Sequence, residues 1–280
     1  MTEAAAVHAQ VPVGMPSAVR LGLLRGGIEL KQFFREREAV VFTFLFPPLL
    51  QVIFGAVFSH PIDGTGINFR QVFVPGMIAS GIMSVSFQSL AIAVAVERDD
   101  GTLKRLRGTP MPKSAYFLGK IAVVFVTGVL EVALLLLIGA LFLGVHLPTA
   151  PGRWLTFGWV FVLGLTACAL LGLAFSSIPK SGKAVSAVVT VPYIVLQFIS
   201  GVYFLYRDLP SWLQHVGALF PLKWMCQGLR SVFLPDWWPA TQEVTGSWET
   251  GRTALVLLAW TFGGLVLALR TFRWKGRRDG

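Results

Sequence analysis

Six stretches of this chain are apolar for so long that they decide what can solvate it: residues 39–58, 72–96, 121–145, 154–178, 184–206 and 253–269. Five contain no Asp, Glu, Lys or Arg, and the third contains only Glu131. A helix needs roughly 20 consecutive apolar residues to cross a bilayer core, and the shortest run, 253–269, extends into its flanks. Only 14% of the 280 residues are charged, against about a quarter in a soluble domain. Too little polar surface is left to cover six buried helices in water. The expected fold class is an all-α integral membrane protein with a six-helix transmembrane domain over 39–272. It is preceded by a tail and interfacial helix (1–38) and followed by a basic tail (273–280).

The net charge of +10 could point to nucleic acid, so placement has to decide. Arg20, Arg25, Lys31, Arg35 and Arg37 precede the first span. Arg98, Lys104, Arg105, Arg107, Lys113 and Lys120 lie between spans two and three, Lys180 and Lys183 between four and five, and Arg270, Arg273, Lys275, Arg277 and Arg278 after the last. All fall on one side, while Arg70, Arg153, Arg207, Lys223, Arg230 and Arg252 fall on the other. Cytoplasmic loops carry the excess of Lys and Arg, so both termini are expected in the cytoplasm, and no nucleic-acid partner is needed to explain the charge. Residues 1–14 have neither the basic start nor the apolar core of a secretory signal; insertion is expected to rely on the spans. Cys168, within an apolar run, and Cys226, on a predicted outer helix, are not expected to pair.

Three segments between the spans are patterned. Residues 1–16 read as disordered, and 17–38 as an interfacial helix broken at Gly26-Gly27, with Leu21, Leu24 and Ile28 on one face and Leu30, Phe33 and Phe34, beside Arg35, on the next. Between spans five and six, Pro210 and Pro221 each open a short amphipathic helix. In the second, Leu222, Met225, Cys226, Leu229, Val232 and Phe233 share a face, and Lys223, Gln227 and Arg230 point away. These helices are expected at the outer interface or as a re-entrant pair, with Trp237, Trp238 and Trp248 in the aromatic belt. After span two, Glu97, Arg98, Gly101, Thr102, Leu103 and Leu106 read as a charged helix stopped by Gly108 and Pro110. Its two leucines suit docking in another protein's groove, or a solvated loop.

That loop (Glu97…Gly101-Thr102-Leu103…Leu106…Thr109-Pro110…Gly119-Lys120) resembles the signature of permease subunits of the type-2 ABC exporters, within them the daunorubicin-resistance or multidrug-like branch. Phe46-Pro47-Pro48-Leu49-Leu50…Phe54-Gly55…Phe58, Val74-Pro75-Gly76 and Leu209-Pro210…Trp212…Phe220-Pro221-Leu222…Gly228-Leu229-Arg230 are similar too, so the likeness runs from the first span to the last. The resemblance implies a bacterial cell-membrane exporter: two permeases, identical or paired with a sibling, with two separate ATPase subunits that hold ATP and Mg. It also implies a coupling helix over 97–110, a connecting helix over 17–38, and a path along spans two and five.

The chain carries no G-x-x-x-x-G-K-[ST] phosphate loop, so it does not supply the ATPase itself; no cofactor or enzymatic activity of its own is expected. On span two Met83, Phe87 and Gln88, and on span five Tyr193, Gln197, Phe198 and Tyr203, are candidates to line the path. Aromatic and amide groups without charge suit a drug, lipid or lipid-linked amphiphile, and a polysaccharide or glycolipid cargo is the alternative within the family. Glu131, at mid-depth, is costly as a charge; it reads as a protonated or paired glutamate facing the bundle, or as a proton-handling carboxylate of an ion-coupled secondary transporter. A membrane lipid-modifying enzyme would need a metal site. Glu97, Asp99 and Asp100 face basic neighbours, and His8, His60, His146 and His215 lie in four separate segments without metal-ligand spacing.

Overall fold

The computed structural model describes residues 17–179 and 182–272; the disorder expected over 1–16, the basic tail over 273–280 and Lys180 lie outside them. Among the described residues the chain is helical, with no β-sheet and one isolated bridge, Pro61 to Asn68. Five helical segments are long and apolar enough to cross a membrane: Arg37–Val57, Phe69–Asp99, Lys113–Leu143, Pro151–Phe175 and Thr250–Thr271.

Helix α1 (Ala18–Arg35) is capped by the Ser17 side chain, which accepts from the Arg20 amide. It is continuous, so the expected break at Gly26-Gly27 is absent. A Cβ on Gly22 would stand 2.6 Å from Leu118 Cβ, and one on Gly26 3.1 Å from Ala122 Cβ. The glycines are therefore a contact face, through which α1 lies against the start of α7. Leu24 and Ile28 are more than half exposed; the buried stripe is the small one, not the apolar one. The first apolar run is also not one rod. Helix α2 (Arg37–Phe44) ends at Leu45 and α3 (Phe46–Val57) starts there with Pro47 and Pro48 in its first turn, because prolines bring no N–H to bond backwards.

Helix α4 (Phe69–Met83), capped by Asn68, passes into a π-helical turn, Ser84–Ser89, and then into α5 (Leu90–Asp99). This composite second span is the most buried of the five candidates. Gly101, at a left-handed φ of 79°, turns the chain into α6 (Thr102–Arg107), which ends at Gly108. Helix α7 (Lys113–Leu143) stops at Gly144, φ 65°, and α8 (Pro151–Phe175) opens with proline at its first position. Helix α9 (Gly182–Ile199) is shorter than the expected 184–206: Gly201, at φ 76°, breaks the helix before Tyr206.

Helices α10 (Ser211–Gly217), α11 (Pro221–Phe233) and α12 (Trp238–Gln242) form a cap, and α13 (Thr250–Thr271) closes the chain against α8. The amphipathic pattern suggests that Lys223, Gln227 and Arg230 point away from the protein. All three are buried instead, since α11 is enclosed by α4, α8 and α13.

Candidate functional site

The Glu97 end of the bundle is held by one buried lysine. Lys120, in the first turns of α7, has its Nζ 2.6 Å from Glu97 Oε1 and 2.9 Å from Glu29 Oε2. Tyr116, one turn earlier, donates its hydroxyl to Glu97 Oε2 at 2.9 Å, and Arg25 pairs with Glu29 at 2.8 Å while lying over the Tyr116 ring. Three elements, α1, α5 and α7, thus meet at interlocked charges. A buried ion pair needs this many partners, since desolvation otherwise exceeds the Coulomb gain.

Beyond this anchor α6 projects. Leu103 is 0% exposed, packed into its own protein rather than presented to a partner, and Leu106 is partly buried. Lys104, Arg105, Arg107 and Pro110 are exposed. Asp100 accepts from the Thr102 amide at 2.8 Å, and Arg98 donates to the Pro179 carbonyl at 3.2 Å. The docking-loop residues therefore divide: Glu97, Arg98 and Leu103 fasten the base, while the basic face of α6 is presented. In the interfacial helix, Phe33 and Phe34 clasp Phe44 of α2, with ring centroids 5.8 and 6.2 Å away. Arg35 and Phe34 are exposed, and Leu30 is half-buried.

Five of the seven path candidates meet where α9 lies along span two. Gln88 donates to Thr190 at 2.9 Å. Gln197 Oε1 accepts from Ser80 at 2.7 Å and from Tyr203 at 2.5 Å, and the Ser80 and Tyr193 hydroxyls stand 3.1 Å apart. The Phe198 ring lies 5.0 Å from that of Tyr203, tilted by 51°, yet Phe198 is 48% exposed. Met83 and Phe87 belong to the core instead, with Phe87 5.3 Å from Phe175 of α8. Glu131 is 0% exposed, lies against Gly81, and neither carboxyl oxygen has a hydrogen-bond partner among the described residues. It faces the bundle, as expected of an interior glutamate, but without an ion-pair partner there. A Cβ on Gly172 of α8 would come within 2.8 Å of the Phe87 carbonyl and 3.0 Å of that of Ser86, so the π-turn is touched by backbone.

At the opposite end, Arg230 donates to the Gly201 carbonyl at 2.5 Å and the Val72 carbonyl at 3.2 Å. Arg153 spans Val232, Leu234 and Asp236. Lys223 sits 3.6 Å over the Trp224 ring and 3.8 Å from Glu249, and bonds Gln227. Burial pushes its ammonium down to about 8, against the pull of Glu249 and Glu243. Glu243 is raised by burial. Burial also works upward on Glu249, but Arg252 and Lys223 outweigh it and hold that carboxyl below the usual range.

Five long apolar helices, with buried polar residues at both ends and a polar seam between span two and α9, define a multi-pass helical membrane protein. The ABC-2 type transporter family profile matches residues 27–234, and the chain belongs to that family. It is 28% identical over 201 residues to the inner membrane transport permease YadH of Escherichia coli K12 (68% of this chain, 75% of that protein). It is 25% identical over 252 residues to ycf38 of Cyanophora paradoxa, named as a transport permease (84% and 83%). It is 24% identical over 199 residues to the probable multidrug ABC transporter permease YbhR of E. coli K12 (70% and 51%).

The sequence reading missed Lys120 as a hub, Arg230 as a tie and the π-turn. Lys120 stands at the very start of an apolar run, and Arg25 and Glu29 are four apart. Those two signals could have found the anchor.

Proposed function

We propose that this chain is the membrane-spanning permease of an ATP-driven exporter in a bacterial cell membrane, with both termini cytoplasmic. Two ATPase subunits, holding ATP and Mg, and a second permease, identical or a sibling, complete it. The chain itself then does no catalysis. Six spans are supported by how α9 runs: contacts pair Arg98 with Pro179, Gln88 with Thr190, Ser80 with Gln197, and Gly76 with the Val202 carbonyl. Helix α9 with its extension thus traverses the same depth as span two. Between Gly76 and Arg98 that depth is about 33 Å at 1.5 Å per residue, about the thickness of a bilayer core. We place the chain with the multidrug, daunorubicin-resistance-like exporters and read the cargo as an amphipathic drug, lipid or lipid-linked molecule.

The observation that carries the coupling role is the division at the Glu97 end. The end of span two from which α6 projects is fastened to α7 by Glu97 and, through Lys120, to α1, and the basic face of α6 is exposed. Movement imposed on α6 therefore passes into span two and span three rather than being lost in a loose loop. The membrane, purified through this permease from its native host, should yield an ATPase with a phosphate-binding loop, and an Arg105→Glu/Arg107→Glu variant should lose it while folding normally. Wild-type permease that brings down no ATPase would end the reading.

A further inference from the structure

We infer that the end of the molecule opposite Glu97 carries a site for a quaternary ammonium group, built from aromatic rings and one carboxylate. The site deepens the exporter reading, on which it rests for the side of the membrane it faces and for a cargo as its ligand; the binding itself does not depend on that reading.

A cavity of about 280 Å³ lies between the α3–α4 connection, which contributes Phe58, His60 and Phe69, and the chain after α9, which contributes Tyr203, Phe204 and Asp208. Ligand pockets start at about 300 Å³, so this one has room for a headgroup rather than for a whole drug. His60, Phe204 and Asp208 are exposed, and the cavity is open to them from outside the protein. Both walls are tied. Gly201, at φ 76°, breaks α9, so that Tyr203, Phe204 and Leu205 leave the helix. On the other wall Asn68 donates to the Ser59 carbonyl at 2.6 Å, and the Phe69 amide to the His60 carbonyl at 3.2 Å. The rings are held before any ligand arrives, which lowers the ordering cost of binding.

The lining is made of ring surface. Phe58, His60 and Phe69 cluster with centroids 5.6 to 6.4 Å apart; His60 lies nearly parallel to Phe69, at 17°, and Phe58 crosses His60 at 67°. Tyr203 is 8% exposed and gives its hydroxyl to Gln197, so it offers the cavity its ring. Leu205 and Leu209 add apolar surface. Among the described residues of the lining Asp208 is the one carboxylate, and there is no Lys or Arg. Arg207 stands 3.5 Å from one Asp208 oxygen while donating to the Thr241 carbonyl at 2.7 Å, and the other oxygen faces no hydrogen-bond donor among the described residues.

Such a lining chooses between cations. A primary ammonium brings three N–H donors that need acceptors, and one carboxylate beside a tyrosine hydroxyl already given away does not meet them. A quaternary ammonium has no donor to satisfy, lays its methyl groups on apolar walls and is drawn to ring faces. An anion would meet Asp208 and the negative faces of the rings. Tyr203 belongs to cavity and seam at once, through its ring and its hydroxyl. A cation moving along the seam reaches these rings at its outer end, where an exporter lets its cargo go.

Equilibrium dialysis against the full chain in detergent, at about pH 8 where an ordinary imidazole is neutral, tests the site. The probes are choline, its uncharged carbon isostere dimethylbutanol, and ethanolamine. Choline should be held at least roughly fivefold more tightly than either. Phe58→Leu should weaken choline binding roughly fivefold, whereas Phe58→Tyr, which keeps the ring, should not; Asp208→Asn should weaken it roughly threefold. Displacement of choline by lysophosphatidylcholine assigns the site to a lipid headgroup, and no displacement assigns it to free organic cations; both support it. Choline that does not bind, or binds no better than dimethylbutanol or ethanolamine, overturns it. So does a Phe58→Leu protein that melts like wild type and keeps its affinity; where that variant fails to fold, Asp208→Asn at the surface and the isostere comparison decide. No ATPase enters this assay, so its failure leaves the coupling reading standing, and failure of co-purification leaves the ring site standing.

Discussion

Helices α6 and α11 are written in similar letters, leucines interleaved with Lys and Arg, and the fold uses them in opposite ways. In α11 the cations turn inward: Arg230 holds two backbone carbonyls, and Lys223 is enclosed by Trp224, Gln227 and Glu249. In α6 the leucines turn inward and the basic side chains stay at the surface. The difference lies in the surroundings. Around α11, Gly201 breaks a helix and leaves a carbonyl to be satisfied, and Glu249 faces the end of the last span; a buried cation there has ready acceptors. At the α6 end, Lys120 holds the carboxylates of Glu29 and Glu97, and Asp100 accepts from the Thr102 amide. One amphipathic segment is thus an enclosed plug with its cations bonded, and the other keeps its basic face at the surface.

The largest effect should come from the plug. Arg230→Met leaves the Val72 and Gly201 carbonyls without their donor and should cost about 3 kcal/mol or more, read as loss of folded protein and a lower melting temperature in detergent. Lysine, with a compact head, should not restore it. If Arg230→Met melts like wild type, the contrast between the two helices collapses.

Next comes the anchor under α6. Lys120→Met leaves Glu97 with Tyr116 alone and Glu29 with Arg25 alone in a mostly buried place and should cost about 2–3 kcal/mol. Hydrogen exchange should quicken in α1 and α6 and not in α11. Exchange that quickens at both ends alike would show that the two ends are not separate units.

The plug should also show a pH signature of about 2 kcal/mol by pH 10. Lys223 releases its proton near pH 8 in the folded protein, whereas an unfolded lysine keeps it to about 10.4. Between those values the unfolded chain holds more protons, so stability rises with pH through the window and is flat below it. The melting temperature of wild type minus that of Lys223→Met should therefore climb between pH 8 and 10; a flat difference would mean that the rings and Glu249 keep the ammonium charged throughout.

Smaller still, Gly172→Ala should cost about 1–2 kcal/mol by pressing on the Ser86 and Phe87 carbonyls. Arg107→Ala should stay within about 0.5 kcal/mol while weakening retention of the ATPase.

Five long apolar helices were legible because length and apolarity are written in the chain, as was the stop at Gly108. Gly101 and Gly144 read from sequence as interior to the charged helix and the third span, and their left-handed φ of 79° and 65° divides the one and ends the other. What hydropathy could not supply was which face of a helix finds a neighbour. In α1 the exposed leucines and the buried glycines invert the usual rule, since close backbone approach rewards the absence of a side chain. Among the residues of the seam, Gln197 and Tyr203 declare themselves by polarity, but whether Met83 or Phe87 turns to it depends on a helical register that the π-turn alters.

A π-turn carries one residue more than the α-helical turn it replaces, and one residue is about 100° of helix rotation. Ser80 and Glu97 sit on either side of it. Span two is therefore a shaft with its two ends keyed out of phase: the inserted residue is what lets Ser80 meet Gln197 while Glu97 meets Lys120. Deleting Val85 would bring the shaft back into phase and swing one of those two contacts out of reach, and a wave that carried the extra residue along the span would turn one end while the other stood still.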